Sequence, residues 1–166
     1  MPESLALGIN TAAMGLLLVI SPIAGLASDR FGRRTVLACA AGGLGLFAYP
    51  LMALMARGTA AAIFAGQAGL ALLIGTAGGG LPAAMAELTP WRVRCTVLSV
   101  GYNVGMALLG GTTPMVATWL LARTGHSLAP AVYLAAAAAL AFFAALLLPR
   151  AARHGITQEF AAVRLR

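Results

Sequence analysis

The stretch GLASDRFGRRTVL, residues 25–37, places one aspartate and three arginines between two long apolar runs. Charge of this density is unusual here, because only 9% of the 166 residues are charged and 61% are hydrophobic. The mean hydropathy of +0.92 lies above that of soluble domains of average composition. The composition therefore indicates an integral membrane protein, in which the charged stretch separates two membrane-spanning segments.

Charged side chains divide the rest of the chain in the same way. They leave uncharged runs at residues 4–28, 35–56, 58–86, 95–122 and 124–149. Each run exceeds the ~20 residues that a helix needs to cross a bilayer, and none shows the alternation of a barrel strand. We predict an all-α integral membrane fold for residues 1–150 followed by a basic tail, residues 151–166. The five transmembrane helices are expected at about residues 6–27, 35–56, 60–84, 96–121 and 129–149.

The arginines are distributed unevenly between the two ends of these helices. Arg57 and Arg123 lie at one end, and the rest of the 11 basic residues lie at the other: Arg30, Arg33, Arg34, Arg92, Arg94, Arg150, Arg153, Arg164 and Arg166. The positive-inside rule places the richer side, including the carboxyl terminus, in the cytoplasm. The amino terminus then lies outside, although MPESLALG has no basic region typical of a signal peptide. We therefore expect helices upstream, with this chain as the carboxyl-terminal part of a larger protein.

Several function classes lack the residues that they need. No basic patch interleaved with aromatic residues is present to bind nucleic acid. Cys39 and Cys95 lie in separate runs without metal-ligand spacing, so we expect no metal site. No nucleophile–base pair or carboxylate pair suggests an enzyme, and no cofactor is implied. The glycine-rich segment at residues 75–82 lacks the ending of a nucleotide loop, which leaves a flexible or a closely packed helix end.

The acid and the glycines of the opening stretch are not explained by orientation alone. Asp29 falls at the end of the first predicted helix, where the helix dipole disfavours an acid unless a positive group meets it. Gly25 allows a neighbouring helix to approach closely, and Gly32 permits the positive φ of a tight turn. A plain stop-transfer loop would need the arginines but neither of these features.

This stretch resembles the cytoplasmic signature of the major facilitator superfamily, Gly-x-x-x-Asp-Arg-x-Gly-Arg-Arg. Glu87 and Arg94 in AELTPWRVR, residues 86–94, resemble the acidic and basic pair of a later cytoplasmic loop in that family. The resemblance implies a conformational latch of Asp29, Arg33, Glu87 and Arg94, which braces the outward-open form and releases on the inward swing. The signature positions are matched by Gly25, Asp29, Arg30, Gly32, Arg33 and Arg34.

Residues 92–125 resemble the eleventh helix and its flanks in the metabolite and proton symporter branch of this superfamily. The resemblance implies that the chain supplies the eighth to twelfth helices of a transporter in the cell inner membrane, without its amino-terminal half. It further implies a secondary transporter of small organic acids or osmolytes, proton-coupled in the full-length form. The alternative is a small non-transporting membrane protein that acts as a structural or regulatory partner of another transporter half.

Few polar residues lie inside the predicted helices, and these are the candidates for a substrate path. On the fourth helix, Ser99, Tyr102, Asn103 and Thr113 fall within an arc of roughly 100°, facing either the path or another helix. Asn10 and Gln67 are the candidates on the first and third helices. Because no Asp, Glu, Lys, Arg or His lies in the middle of any span, a proton-coupling group is expected on the missing helices. Gly110, Gly111 and Pro114 should allow the fourth helix to bend.

Overall fold

The computed structural model describes residues 3–126 and 128–149 of the chain. The described residues form α1 (Glu3–Phe31), α2 (Arg33–Met55), α3 (Ala60–Leu88), α4 (Arg94–Gly105), a π-helical segment (Met106–Gly110), α5 (Thr113–Thr124) and α6 (Ala129–Leu147). The segments from α4 to α5 together make one span, so five spans are long and apolar enough to cross a membrane. This confirms the predicted all-α membrane fold. The predicted basic tail, residues 151–166, lies outside the described residues.

Small side chains hold the described helices together. α3 packs along both α1 and α2, and α2 also packs along α6. Most of the buried apolar residues are alanines, and one core cluster joins Leu37 of α2, Ala84 of α3 and Ala145 of α6. Small residues allow helix backbones to approach closely, which gives helices in a membrane their van der Waals contact. The bundle of α1, α2, α3 and α6 therefore depends on backbone proximity more than on large core side chains.

The closest approach between helices occurs where α1 meets the glycine-rich part of α3. A Cβ atom added to Gly79 would lie 2.1 Å from the carbonyl oxygen of Ser21 and 2.8 Å from the amide nitrogen of Gly25. The hydroxyl of Ser21 donates a hydrogen bond to the carbonyl of Gly75 over 3.3 Å. The glycine-rich segment is therefore a closely packed part of a helix, and Gly25 supports this contact as its spacing suggested.

Gly32 forms the whole connection between α1 and α2. Its φ of +93° belongs to the backbone region that favours glycine, and the neighbouring helices end at Phe31 and begin at Arg33. This connection and the turn between α3 and α4 lie at one end of the bundle, which we call the charged end and define as residues 28–34 and 87–94. The end of α1, the start of α2 and the end of α3 therefore all lie at the charged end.

The fourth span is interrupted near its middle. The π-helical segment closes with a 3.0 Å hydrogen bond from the Gly111 amide to the Met106 carbonyl, and a short turn leads into α5. Pro114 lies in the first turn of α5, where its missing amide hydrogen is tolerated. The span packs little against the other described helices, and its most apolar window is 0% buried. The glycines and the proline therefore interrupt the helix in the region where bending was expected.

Candidate functional site

A cluster of three charged side chains joins the first three helices at the charged end. Arg33, the first residue of α2, forms an ion pair through Nη2 with Oδ1 of Asp29 in the last turn of α1. Its Nε donates a hydrogen bond of 3.0 Å to Oε1 of Glu87, near the end of α3. The guanidinium therefore bridges two carboxylates that lie on different helices. We call Asp29, Arg33 and Glu87 the bridging cluster.

Helix dipoles explain why these three side chains need one another. Asp29 and Glu87 both lie in the last turns of their helices, where the partial negative charge of the carbonyls disfavours an acid. Arg33 begins a helix, where the partial positive charge of the amides disfavours a cation. Each charge is misplaced on its own helix, and each is compensated by a charge from a neighbouring helix. The turn at Gly32 makes the first pair possible because it separates the two helices by one residue.

The exposure of the cluster limits how strongly it can hold the helices. The side chain of Arg33 is 16% exposed, whereas those of Asp29 and Glu87 are 59% and 49% exposed. Ion pairs with partners this accessible to solvent contribute about 0 to 1 kcal/mol each, since water screens the charges and the side chains lose freedom. A contact of this strength can fix one arrangement of the helices and still be broken without a large barrier.

The other residues of the predicted latch lie near the cluster without joining it. Nε of Arg94 donates a 3.4 Å hydrogen bond to the backbone carbonyl of Thr89, just beyond the end of α3. A cation at this position is favoured by the dipole of α3. Among the residues that the structure describes, the ion pairs are the two that Arg33 makes, so Arg30, Arg34 and Arg94 take part in none. Gly25 and Gly32 shape the backbone beside the cluster.

The structure does not gather the predicted substrate-path residues into one pocket. Ser99, Tyr102, Asn103 and Thr113 are all exposed on the fourth span, and Asn10 is exposed near the start of α1. Asn103 donates from Nδ2 to the carbonyl of Ser99 over 2.7 Å, which leaves its Oδ1 as an acceptor. Thr113 donates its hydroxyl to the carbonyl of Leu109. The polar face of the fourth span is thus not covered by the other described helices.

Gln67 differs from the other path candidates because part of it is buried. Its Oε1 has no hydrogen-bond partner in the described part of the chain, and the residue is only partly accessible. It lies four and eight residues before Ala71 and Gly75, which are both buried on α3. Gly75 contacts Ile20 of α1, so this row of residues follows the contact between α1 and α3. Gln67 is therefore an interhelical residue in this arrangement.

Two buried hydroxyl residues at the charged end, Ser28 and Thr89, could not be identified from the sequence. Ser28 is 1% exposed, and its hydroxyl lies 3.1 Å from the position that a Cβ of Gly80 would occupy. Thr89 is also buried and donates to the carbonyl of Met85 over 2.9 Å. A serine and a threonine beside charged loops belong to no hydrophobic repeat in the sequence. Their burial becomes visible only when the alignment of α1 against α3 is known.

The comparisons with known proteins extend over nearly the whole chain. Residues 2–158 match the family model described as "Sugar (and other) transporter". A provisionally named proline/betaine transporter of Staphylococcus aureus (strain COL) is 32% identical over 132 residues, which cover 80% of this chain and 28% of that protein. The ectoine/proline transporter ProP of Corynebacterium glutamicum is 27% identical over 158 residues, covering 95% of this chain and 31% of that protein.

A third relative is likewise a transporter that the chain matches over part of its length. The proline/betaine transporter of Escherichia coli (strain K12) is 31% identical over 118 residues, covering 71% of this chain and 23% of that protein. The chain thus spans less than a third of the length of these relatives, and no solved structure gives a significant match. The matched family consists of transporters rather than enzymes. The resemblance inferred from the charged motifs is confirmed: the chain belongs to the sugar (and other) transporter family of the major facilitator superfamily.

Proposed function

We propose that these five spans act as the eighth to twelfth helices of a secondary transporter for small osmolytes. The names of the relatives support this cargo, because they specify proline with betaine or with ectoine. These compounds are small and zwitterionic, so a carrier must compensate both a positive and a negative group during passage. Small organic acids remain the second cargo class, in keeping with the symporter branch that residues 92–125 resemble.

Transport in this proposal requires the amino-terminal helices of the complete transporter. Two halves rock about a central site, and cargo enters from one side and leaves to the other. We place the protein in the inner membrane, with the charged end in the cytoplasm as the arginine distribution requires. Proton coupling needs a titratable group in the path, and the proposal assigns that group to the amino-terminal helices. Asn10 and the polar face of the fourth span are the path residues that this chain contributes, and Gln67, which lies between helices here, would reach the path when α1 and α3 separate.

The bridging cluster supports the proposed mechanism. Arg33 connects the end of α1 to the end of α3 through two carboxylates, so it opposes separation of these helices at the charged end. We propose that this contact forms in one state of the cycle and breaks in the other. Its modest strength suits this role, because a pair worth about 1 kcal/mol or less can be exchanged within a transport cycle. Arg94 stands close by at the carbonyl of Thr89 and is the second cation available to Glu87.

The proposed latch is tested by uptake of radiolabelled proline and glycine betaine into cells that express the complete transporter. Asp29→Asn removes one partner of Arg33 without changing the size of the side chain, and Arg33→Ala removes the bridge. We expect both variants to insert normally and to lower the initial rate of uptake. Loss of one pair in Asp29→Asn should cost up to about 1 kcal/mol, or about fivefold, and loss of both pairs in Arg33→Ala up to about thirtyfold.

Arg57→Ala is the matched control, because Arg57 lies in the turn between α2 and α3 at the other end of the bundle. It removes the same charge and should leave uptake close to the unmodified rate. Uptake at the unmodified rate in both latch variants, at equal amounts in the membrane, would exclude the latch. Failure of the unmodified transporter to accumulate either compound would instead overturn the proposed cargo.

A further inference from the structure

The fourth span has an irregular backbone at a depth where lipid offers no hydrogen-bond partners to its amide and carbonyl groups. The span runs over Arg94–Thr124, and the π-helical segment Met106–Gly110 begins 12 residues after its start. At 1.5 Å per residue, this point lies about 18 Å from the charged end, near the middle of the bilayer. Residue 114 is a proline, so the Gly110 carbonyl has no α-helical donor. Such backbone is tolerated in a membrane only against protein or a water-filled cavity.

The side chains just before the break share one electronic property. Met106 lies beside both Tyr102 and Asn103 on the helix surface, because it follows them by four and three residues. Tyr102 is 49% exposed and offers the negative face of its ring, and Met106 is 53% exposed and offers a thioether sulfur. Asn103 offers Oδ1, since its Nδ2 already donates to the Ser99 carbonyl. All three groups present electron density, and none carries a charge.

An electron-rich surface of this kind selects cations. A quaternary ammonium is attracted to an aromatic face without needing a hydrogen bond, and amide oxygens and thioethers solvate its polarised methyl groups. A carboxylate gains nothing from the ring face or the thioether, because it needs donors or positive charge. The donors that these side chains offer it are the Tyr102 hydroxyl and the second Nδ2 hydrogen of Asn103. The described parts of the five spans hold no arginine or lysine in their middle that could supply positive charge. The ring face and the thioether therefore fit the positive end of a zwitterion.

We infer that Tyr102, Asn103 and Met106 bind the ammonium group of the cargo, with the carboxylate held by the amino-terminal helices. This inference rests on the proposed function and adds the division of labour within the site. It also gives the break a role, because irregular backbone at this depth indicates that this part of the span faces protein or a water-filled cavity in the complete transporter. The ring of Tyr102 supplies the largest part of the attraction.

The test separates the two ends of the cargo with tetramethylammonium, which has the cationic group and no carboxylate. In the complete transporter, tetramethylammonium should inhibit uptake of radiolabelled glycine betaine competitively. Tyr102→Leu should raise both the inhibition constant of tetramethylammonium and the KM for glycine betaine about tenfold, within the range of a desolvated cation–π contact. Tyr102→Phe keeps the ring and should retain most of the affinity. The maximal rate should change much less than KM.

Tyr49→Leu is the control for loss of an exposed tyrosine, because Tyr49 lies on α2 near the end opposite the charged end. Equal inhibition constants in Tyr102→Leu, Tyr49→Leu and the unmodified transporter would overturn the inference, as would equal losses in Tyr102→Phe and Tyr102→Leu. If Tyr102→Leu does not reach the membrane, Asn103→Leu gives the same measurement on a neighbouring group. Absence of glycine betaine and proline uptake in the unmodified transporter would count against the proposed function instead.

Discussion

Replacing Gly79 by alanine should separate α1 from α3, whereas the same change at Gly78 should not. The new Cβ at residue 79 would lie 2.1 Å from the Ser21 carbonyl oxygen, whereas ordinary van der Waals contact begins at 3.4 Å. Both this oxygen and the Gly25 amide nitrogen, at 2.8 Å, are backbone atoms. No side-chain rotation can relieve the overlap, so the two helices must move apart by about 1 Å.

The size of the effect follows from two opposing contributions. Overpacking of a tight interior contact destabilises by about 1 to 3 kcal/mol, and a contact between two backbones belongs at the upper end. Alanine stabilises a helix interior by about 1 kcal/mol relative to glycine. We therefore expect Gly79→Ala to lower the free energy of unfolding by about 2 kcal/mol. At Gly78 the Cβ would lie 3.4 Å from the Ser21 hydroxyl, so Gly78→Ala should be neutral or stabilising by up to about 1 kcal/mol.

The assay is unfolding of the purified chain in detergent micelles, followed by circular dichroism during titration with a denaturing detergent. The two variants differ by one position and by no chemistry, so helix propensity and solubility are matched. Gly79→Ala should unfold at a lower denaturant fraction than the unmodified chain, and Gly78→Ala at the same or a higher fraction. Equal midpoints for the two variants would refute the assigned contact between α1 and α3.

Two further predictions concern topology and the interior of α3. A cysteine at position 34, in a chain with Cys39 and Cys95 replaced by alanine, should resist an impermeant thiol reagent in intact cells and react after permeabilisation, while labelling of intact cells would reverse the orientation. Gln67→Leu should leave the stability of the chain unchanged or raise it by about 1 kcal/mol, because it removes a buried oxygen without a partner; a clear loss of stability in the same detergent titration would show that Gln67 has a partner.

The sequence predicted the number of spans because a charged side chain in lipid costs much free energy. Charged residues therefore mark the ends of the apolar runs, and their positions can be read from the sequence alone. It did not predict how far the helices extend, since α1 continues through Asp29 and Arg30 and α3 through Glu87, past the ends of the apolar runs. Helices continue beyond the hydrocarbon wherever neighbouring helices and ion pairs support them. The ends of the helices are therefore a property of packing.

In the candidate site, too, the motifs indicated the residues, whereas the contacts of those residues depend on how the helices are aligned. The family resemblance grouped Asp29, Arg33, Glu87 and Arg94, and the structure brings the side chains of the first three into contact. The spacing could not show that Arg94 donates to the Thr89 carbonyl, because this depends on the path of a short turn. It also could not distinguish Gly79 from Gly78 and Gly80, which are adjacent in sequence and meet different atoms of α1. The polar face of the fourth span follows from its helical period, but no described helix covers it.

Exchange of the charges of Arg33 and Glu87 tests whether the contact between these two residues acts in transport. In the complete transporter, Arg33→Glu and Glu87→Arg should each abolish most uptake of proline or glycine betaine, because each places like charges together at the charged end. The double variant restores an ion pair between α2 and α3 but leaves a carboxylate at position 33 beside Asp29, so we expect it to recover part of the uptake rate. Uptake in the double variant no higher than in the weaker single variant, at equal amounts in the membrane, would contradict the account.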